Sequence, residues 1–354
     1  MALLDKIFKA AVNFKASDVH VVPNEPFILR RFGRIVKMKG DKLTPESTRR
    51  VIFEILTEKQ KKQLSRDLQL DFAYEISGLG RFRGSSMIHN NGLSAVFRVI
   101  PPSIPKLEEL GLPEIVTRVL DNHQGLILAT GATGQGKSTT LAAMVDYINA
   151  NRAHHILSIE DPIEFIHPIK KGVVNQRELG RDTLSYDNAL KGALREDPDV
   201  IVIGELRTLE TISLAISAAE TGHLVIGTLA TSNAAKTIDR IIDAYPPGEQ
   251  SQIRAMLSEA LVAVITQRLI PGSDDKSMVL ATEILIGTLP LANLIRDDKT
   301  FQIPSMMQTG KSVGMQIMDE SILALLQEEK ITAQSAMDYA NEPKRFTQFV
   351  KSSN

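Results

Sequence analysis

Neither cysteine nor tryptophan occurs among the 354 residues. Without thiols, disulfides, cysteine nucleophiles and Cys-ligated zinc or iron–sulfur centres are excluded, and an intracellular setting is expected. Long apolar runs are also missing: no stretch approaches the roughly 18 residues of a spanning helix. At the N-terminus Asp5, Lys6 and Lys9 fall inside what would be the apolar core of a signal peptide. A soluble, cytoplasmic protein is therefore expected. Net charge is nearly absent, with 41 Lys+Arg against 42 Asp+Glu. That balance is uneven along the chain, because residues 1 to 100 carry 18 basic and 10 acidic side chains and the remainder 23 and 32. Such asymmetry favours packing of the basic part on the acidic part or on an anionic ligand. The 43% hydrophobic content is that of a globular chain. The length argues for more than one domain, since single cores stop growing near about 250–300 residues.

The chain opens with Leu3, Leu4, Ile7, Phe8, Ala11 and Val12 at helical spacing. Short β runs follow, at 19–22, 27–29 and 34–38, broken by Pro23, Pro26 and Gly33. Thr44 with Pro45 reads as the start of a helix running to about Leu56. Further strands at 70–76, 81–88 and 95–100 complete a small α+β domain over residues 1–100. Pro101, Pro102 and Pro105 can continue neither helix nor strand, which makes 101–110 a linker. Beyond it, apolar strands at 125–130, 155–160, 200–203 and 224–228 alternate with helical stretches. That pattern indicates a parallel sheet covered on both faces, an α/β domain over 111–289. Residues 290–354 read as a helical subdomain.

Gly131-Ala132-Thr133-Gly134-Gln135-Gly136-Lys137-Ser138 fits the G-x-x-x-x-G-K-[ST] pattern in full, directly after an apolar strand and before a helical run that begins with Thr139. Glycines let backbone N–H groups turn inward around phosphate oxygens, and the helix that follows adds its positive end. Lys137 is then placed to reach the β and γ phosphates of a nucleoside triphosphate, and the Ser138 hydroxyl to ligate Mg²⁺. Two acidic sites end other strands. Val200–Ile203 leads through Gly204 to Glu205, the arrangement that sets a carboxylate near a nucleotide's metal ion and attacking water. Glu160, Asp161 and Glu164 follow the strand at 155–160. The plain alternative for each is a surface acid. His223, before the strand at 224–228, reads by itself as a hydrogen-bonded structural histidine.

Together GATGQGKSTTLAAM, SIEDPIEFIH at 158–167, REDPDVIVIGE at 195–205 and AAETGHLVIGTL at 218–229 resemble the secretion ATPase superfamily of P-loop motors, and within it the type IV pilus retraction branch. Ala16-Ser17-Asp18-Val19-His20, Gly80-Arg81-Phe82-Arg83, Asn293-Leu294-Ile295-Arg296 and Gly314-Met315-Gln316 extend the likeness over nearly the whole chain. The resemblance implies a PAS-like N-terminal domain joined to a RecA-like ATPase domain and a C-terminal helical subdomain. It implies six copies in a ring, with each N-terminal domain on the neighbour's ATPase domain. It further implies Glu164 as the general base, Glu205 at Mg²⁺, His223 in the catalytic set, and Arg81, Arg83 and Arg98 approaching the nucleotide phosphates, where they would stabilise transition-state charge. Its implied partners are an inner-membrane pilus platform protein, at whose base the chain would act from the cytoplasm, and a paralogous retraction ATPase.

The sequence departs from that branch at two places. Where the branch usually reads G-T-L-H-T, Ala230 replaces the second histidine, and a methyl group neither donates a hydrogen bond nor carries charge. A segment tied to retraction appears as Pro290-Leu291-Ala292-Asn293-Leu294-Ile295-Arg296-Asp297, with only its centre unaltered. Three other functions compete. A pilus assembly or type II secretion ATPase would usually bring an extra domain and a four-cysteine zinc site. A DNA motor would use the basic first domain, but its aromatic residues Phe14, Phe27, Phe32, Phe53, Phe72 and Phe82 alternate like core positions, so no nucleic acid is expected. A regulatory paralogue with little turnover is suggested by Ala230.

Overall fold

The computed structural model describes residues 2–31, 34–101, 103–274 and 276–351, with side chains to residue 350; Phe32, Gly33 and Pro102 fall outside them. Contacts divide the chain into two compact units, Met1–Ser103 with Pro162–Ile166, and Ile104–Asp161 with His167–Asn354.

In the first unit the strands are β1 (Asp18–Val21), β2 (Ile28–Arg31), β3 (Arg34–Lys37), β4 (Gln69–Ile76), β5 (Gly80–His89) and β6 (Gly92–Ile100). They form an antiparallel sheet in the order β3-β2-β1-β6-β5-β4. Side chains alternate between its faces. Val19, Phe72, Phe82 and Phe97 turn to one side and pack against the helices Leu3–Asn13, Pro45–Ile55 and Glu58–Asp67 through Leu4, Phe8, Val51, Ile52 and Leu64. Phe8 stacks on Phe82 at 4.2 Å between ring centroids and meets Phe97 edge-on at 4.9 Å. The alternate positions, Asp18, Arg81, Arg83 and Arg98 among them, turn to the other side. Thr44 caps its helix as expected, accepting from the Ser47 N–H, with Pro45 in the first turn. The helix Glu58–Asp67 is absent from the sequence reading because Leu64 is its one buried residue. Its signal is a capping box, in which Thr57 and Gln60 satisfy each other's backbone N–H groups.

The second unit is built on β7 (Gly125–Thr130), β8 (His155–Glu160), β9 (Val173–Glu178), β10 (Val200–Ile203), β11 (Leu224–Leu229), β12 (Leu261–Pro271) and β13 (Met278–Ile286). Their order is β13-β12-β7-β11-β10-β8-β9, and every pairing is parallel except β12 with β13. Helices on one face bury Leu126, Leu128, Ile201, Ile203 and Val225. On the other, Ile115–Leu120 and Lys137–Asn151 cover Ile127, Val200, Val202 and Ile226. The hairpin β12–β13 extends the parallel sheet the sequence suggests by an antiparallel edge pair that it does not reveal. Beyond Thr266 this hairpin overhangs β7. Ile270 and Ala281 on the overhang carry the C-terminal helices through Met318, Ile322, Ala336 and Phe346. The chain is thus an α/β protein with a RecA-like sheet, a small α+β PAS-like unit and a C-terminal group of helices. Among the described residues no helix is long and apolar enough to cross a membrane.

Phe8→Ala should cost about 3–5 kcal/mol, the usual penalty for emptying a buried aromatic site, read from the shift of the urea midpoint at constant slope. A loss below about 1 kcal/mol would contradict the aromatic stack as the first unit's core.

Candidate nucleotide site

Parallel pairing decides what the second unit can assemble. Thr130 at the end of β7 lies opposite Leu229 on β11 and Thr266 on β12, so β7 and β11 finish at one edge, which β12 passes at Thr266. The Thr130 and Thr266 hydroxyls bond at 2.8 Å across that edge. The glycine-rich turn begins on the next residue. Gly131 has φ +145°, and a Cβ there would come within 2.7 Å of the Gln267 carbonyl oxygen. Gly134 and Gly136 both have φ +82°, a region open to glycine at little cost. The loop is tied to the overhang of β12, since the Gln135 Oε1 accepts from the Leu269 N–H and Gln267 Nε2 donates to Thr140 Oγ1 at 2.8 Å.

Helix Lys137–Asn151 starts where the loop ends, which points its first N–H groups and positive dipole end at the same edge. Ala132, Thr133 and Ser138 are exposed there and Thr139 is half-buried. The Lys137 ammonium donates to the carbonyls of Gly131 at 2.8 Å and Ala132 at 3.0 Å, folded back over its own loop. Burial holds its pKa below the ordinary lysine value, and the Glu205 carboxylate partly offsets this. Glu205 stands two residues beyond β10, on a turn fixed from both sides: Gly204 N–H donates to Ile159 O, Leu206 N–H donates to Thr228 O, and the Thr228 hydroxyl donates to Gly204 O. Its carboxylate pairs with Arg207 at 2.7 Å. At the end of β8, Glu160 Oε1 accepts from Ser158 Oγ at 2.8 Å and Gln176 Nε2 at 3.0 Å.

Among the described residues no group of three or more His, Asp or Glu could hold a metal by itself. Ser138 and Glu205 supply hard oxygen donors, the set that suits Mg²⁺ when phosphate and water complete its shell.

His223 falls elsewhere. Leu224, its neighbour, pairs with Gly125 at the amino end of β7, six residues before the loop. At about 3.3 Å per residue, His223 lies roughly 20 Å from the loop of its own chain. Its Nδ1 faces the Ala218 carbonyl at 3.1 Å. Parallel strands put the two ends of β11 on opposite edges, so within one chain His223 and the loop do not meet. Ala230, which follows β11 at the loop's edge, is exposed.

In the first unit the three arginines share a face but not a situation. Arg81 is only 11% exposed, with Nη1 on Glu75 at 2.9 Å and Nη2 on the Ile163 carbonyl at 3.0 Å, so it clamps the acidic segment to β5. Arg83 Nη1 donates to Glu164 Oε1 at 2.8 Å. Arg98 bonds Asp18 through Nε at 3.2 Å. The sequence reading missed Asp18 as a partner, and Gln267 and Leu269 as supports of the loop. Strand register brings each of these together, and no local motif announces it.

A complete P-loop at the carboxyl edge of a RecA-like sheet, with a carboxylate two residues past the next strand but one, defines a P-loop ATPase. The chain belongs to the type II/IV secretion system protein family, whose model matches residues 1–338. It is 48% identical to the type IV pilus retractation ATPase PilT of Pseudomonas aeruginosa, over 94% of this chain and 96% of that one. It is 47% identical to a twitching motility protein of Neisseria gonorrhoeae, over 87% and 83%. Among solved structures, the pilus retraction motor PilT with bound ADP superimposes with a TM-score of 0.87 at 43% identity, covering 98% of each chain.

Gly131→Ala should abolish nucleotide binding measured by calorimetric titration, because the added methyl group meets backbone and the φ is closed to alanine. Binding at wild-type affinity would contradict this geometry.

Proposed function

We propose that this chain is the ATP-driven motor that retracts a type IV pilus, working as a ring of six copies on the cytoplasmic side of the inner membrane and pulling on the pilus platform protein there. What carries the reading is the near full-length likeness to a pilus retraction ATPase, joined to an intact P-loop. Lys137 leaves the carbonyls of Gly131 and Ala132 for the β and γ phosphates, which offer it full charge in place of partial charge. Ser138 and Glu205 would hold Mg²⁺, which when bound would supply charge neutralisation at the phosphates. Glu164 takes the proton of the attacking water as its oxygen bonds the γ phosphorus, and the bridging oxygen leaves with ADP. For that, Arg83 must exchange Glu164 for phosphate, so one movement frees the base and delivers the positive charge. Tighter binding of ATP than of ADP by the closed form then supplies the work.

A second reading, a regulatory paralogue with little turnover, is favoured by Ala230 and by the distance of His223 from its own loop. In cells deprived of their retraction ATPase, this chain should restore shortening of labelled pili. Glu164→Gln should bind ATP normally and restore none. Pili that stay extended with the wild-type chain present would overturn the motor reading and leave the regulatory one. Under the regulatory reading, Ala230→His raises turnover; under the motor reading it does not.

A further inference from the structure

On the first unit's sheet, the face turned away from the aromatic core carries a transverse row of charge. Asp18 pairs in register with Arg30 on β2 and with Arg98 on β6, and Arg98 pairs with Arg83 on β5. Asp18 is the hub of this row. It is only 6% exposed, and its carboxylate takes the Ser17 hydroxyl at 2.8 Å, the Arg98 Nε at 3.2 Å and the charge of Arg30 at 4.0 Å. So little exposure is tolerated by a carboxylate because it is paired.

The pairing with Arg98 is one-sided. Nε is engaged, while neither Nη group has a hydrogen-bond partner among the described residues, and the side chain is 57% exposed. Arg81 is the opposite case, with both Nη groups spent on protein. An arginine anchored at Nε presents its remaining N–H groups as a planar fork of fixed direction, matched to the oxygens of a phosphate.

We propose that Asp18 is a positioning residue, which holds Arg98 by Nε so that its two Nη groups form a pre-aimed fork for the terminal phosphate of a nucleoside triphosphate. The identity of the anion rests on the ATPase reading given above. A fork that meets only the terminal phosphate discriminates triphosphate from diphosphate, and this separates positioning from plain structural support.

The test compares dissociation constants of the non-hydrolysable analogue AMP-PNP and of ADP, both with Mg²⁺, for the full chain. Asp18→Asn keeps the shape and removes the charge. It should weaken the analogue about tenfold, the scale of one charge-assisted hydrogen bond, and leave ADP within about twofold. Arg98→Ala should show the same selective loss, and adding Asp18→Asn to it should cost nothing more. Equal weakening of both nucleotides, an unchanged analogue affinity, or full additivity in the double variant would each overturn the proposal. Should Asp18→Asn fail to fold, Ser17→Ala removes one anchor of the carboxylate. It should weaken the analogue alone, by less, and loss of neither or of both ligands would count against the proposal. A wild-type chain that binds neither nucleotide would sink the ATPase reading and the proposal with it. Binding of both that Asp18→Asn weakens equally sinks the proposal alone.

Discussion

The parallel register of β7 with β11 and β12 is the constraint on which the site depends. Strands β7 and β11 run in parallel and finish at one edge, handing the chain to the P-loop and to Ala230, while β12 passes that edge at Thr266 and continues. The same register, carried through β10 to β8, brings Glu205 and Glu160 to that edge. It also sends His223 to the other one. Besides its own bonds the loop is held by the overhang of β12, where Leu269 bonds Gln135 and Gln267 bonds Thr140 on the helix that follows, while Arg268 reaches back to Tyr339 and Asn341. Three consecutive residues of one strand therefore touch both the loop and the C-terminal helices.

A second theme is that the charged groups a phosphate would engage already have partners within the chain. Lys137 bonds two carbonyls, Glu205 holds Arg207 and Arg83 holds Glu164. Partly exposed ion pairs of this kind contribute about 0–1 kcal/mol each, because water competes for both partners. A nucleotide phosphate with several charges can displace such partners at small cost. Under the proposed mechanism, breaking the Arg83–Glu164 pair would free a base and a cation together. Pairs this weak suit a cycle that must make and break them at each turnover, where a buried pair would resist.

Much of this was legible in the sequence where local chemistry is dense. Gly131 to Ser138 carries its own spacing, and the apolar runs of β7, β8, β10 and β11 declare a covered parallel sheet. Thr44 and Pro45 gave the helix start to the residue. What stayed hidden is what register creates. Asp18 and Arg98 stand 80 positions apart and meet only because β1 and β6 pair. Three arginines grouped by likeness differ in their partners, Arg81 spanning Glu75 and the Ile163 carbonyl, Arg83 holding Glu164 and Arg98 holding Asp18. His223 shows the converse, since motif likeness fixes a residue's neighbours in sequence but not the edge of the sheet at which it lies. The helix at Glu58–Asp67 escaped because periodicity needs more than one buried side chain to be seen.

The central claim is that the edge formed by β7, β10 and β11 hydrolyses ATP through the P-loop lysine. Steady-state ATP hydrolysis by the purified chain, beside Lys137→Ala, tests it most directly. Robust turnover that the variant lacks is the predicted result. Tight ATP binding without turnover, or turnover that survives loss of the lysine, would contradict it.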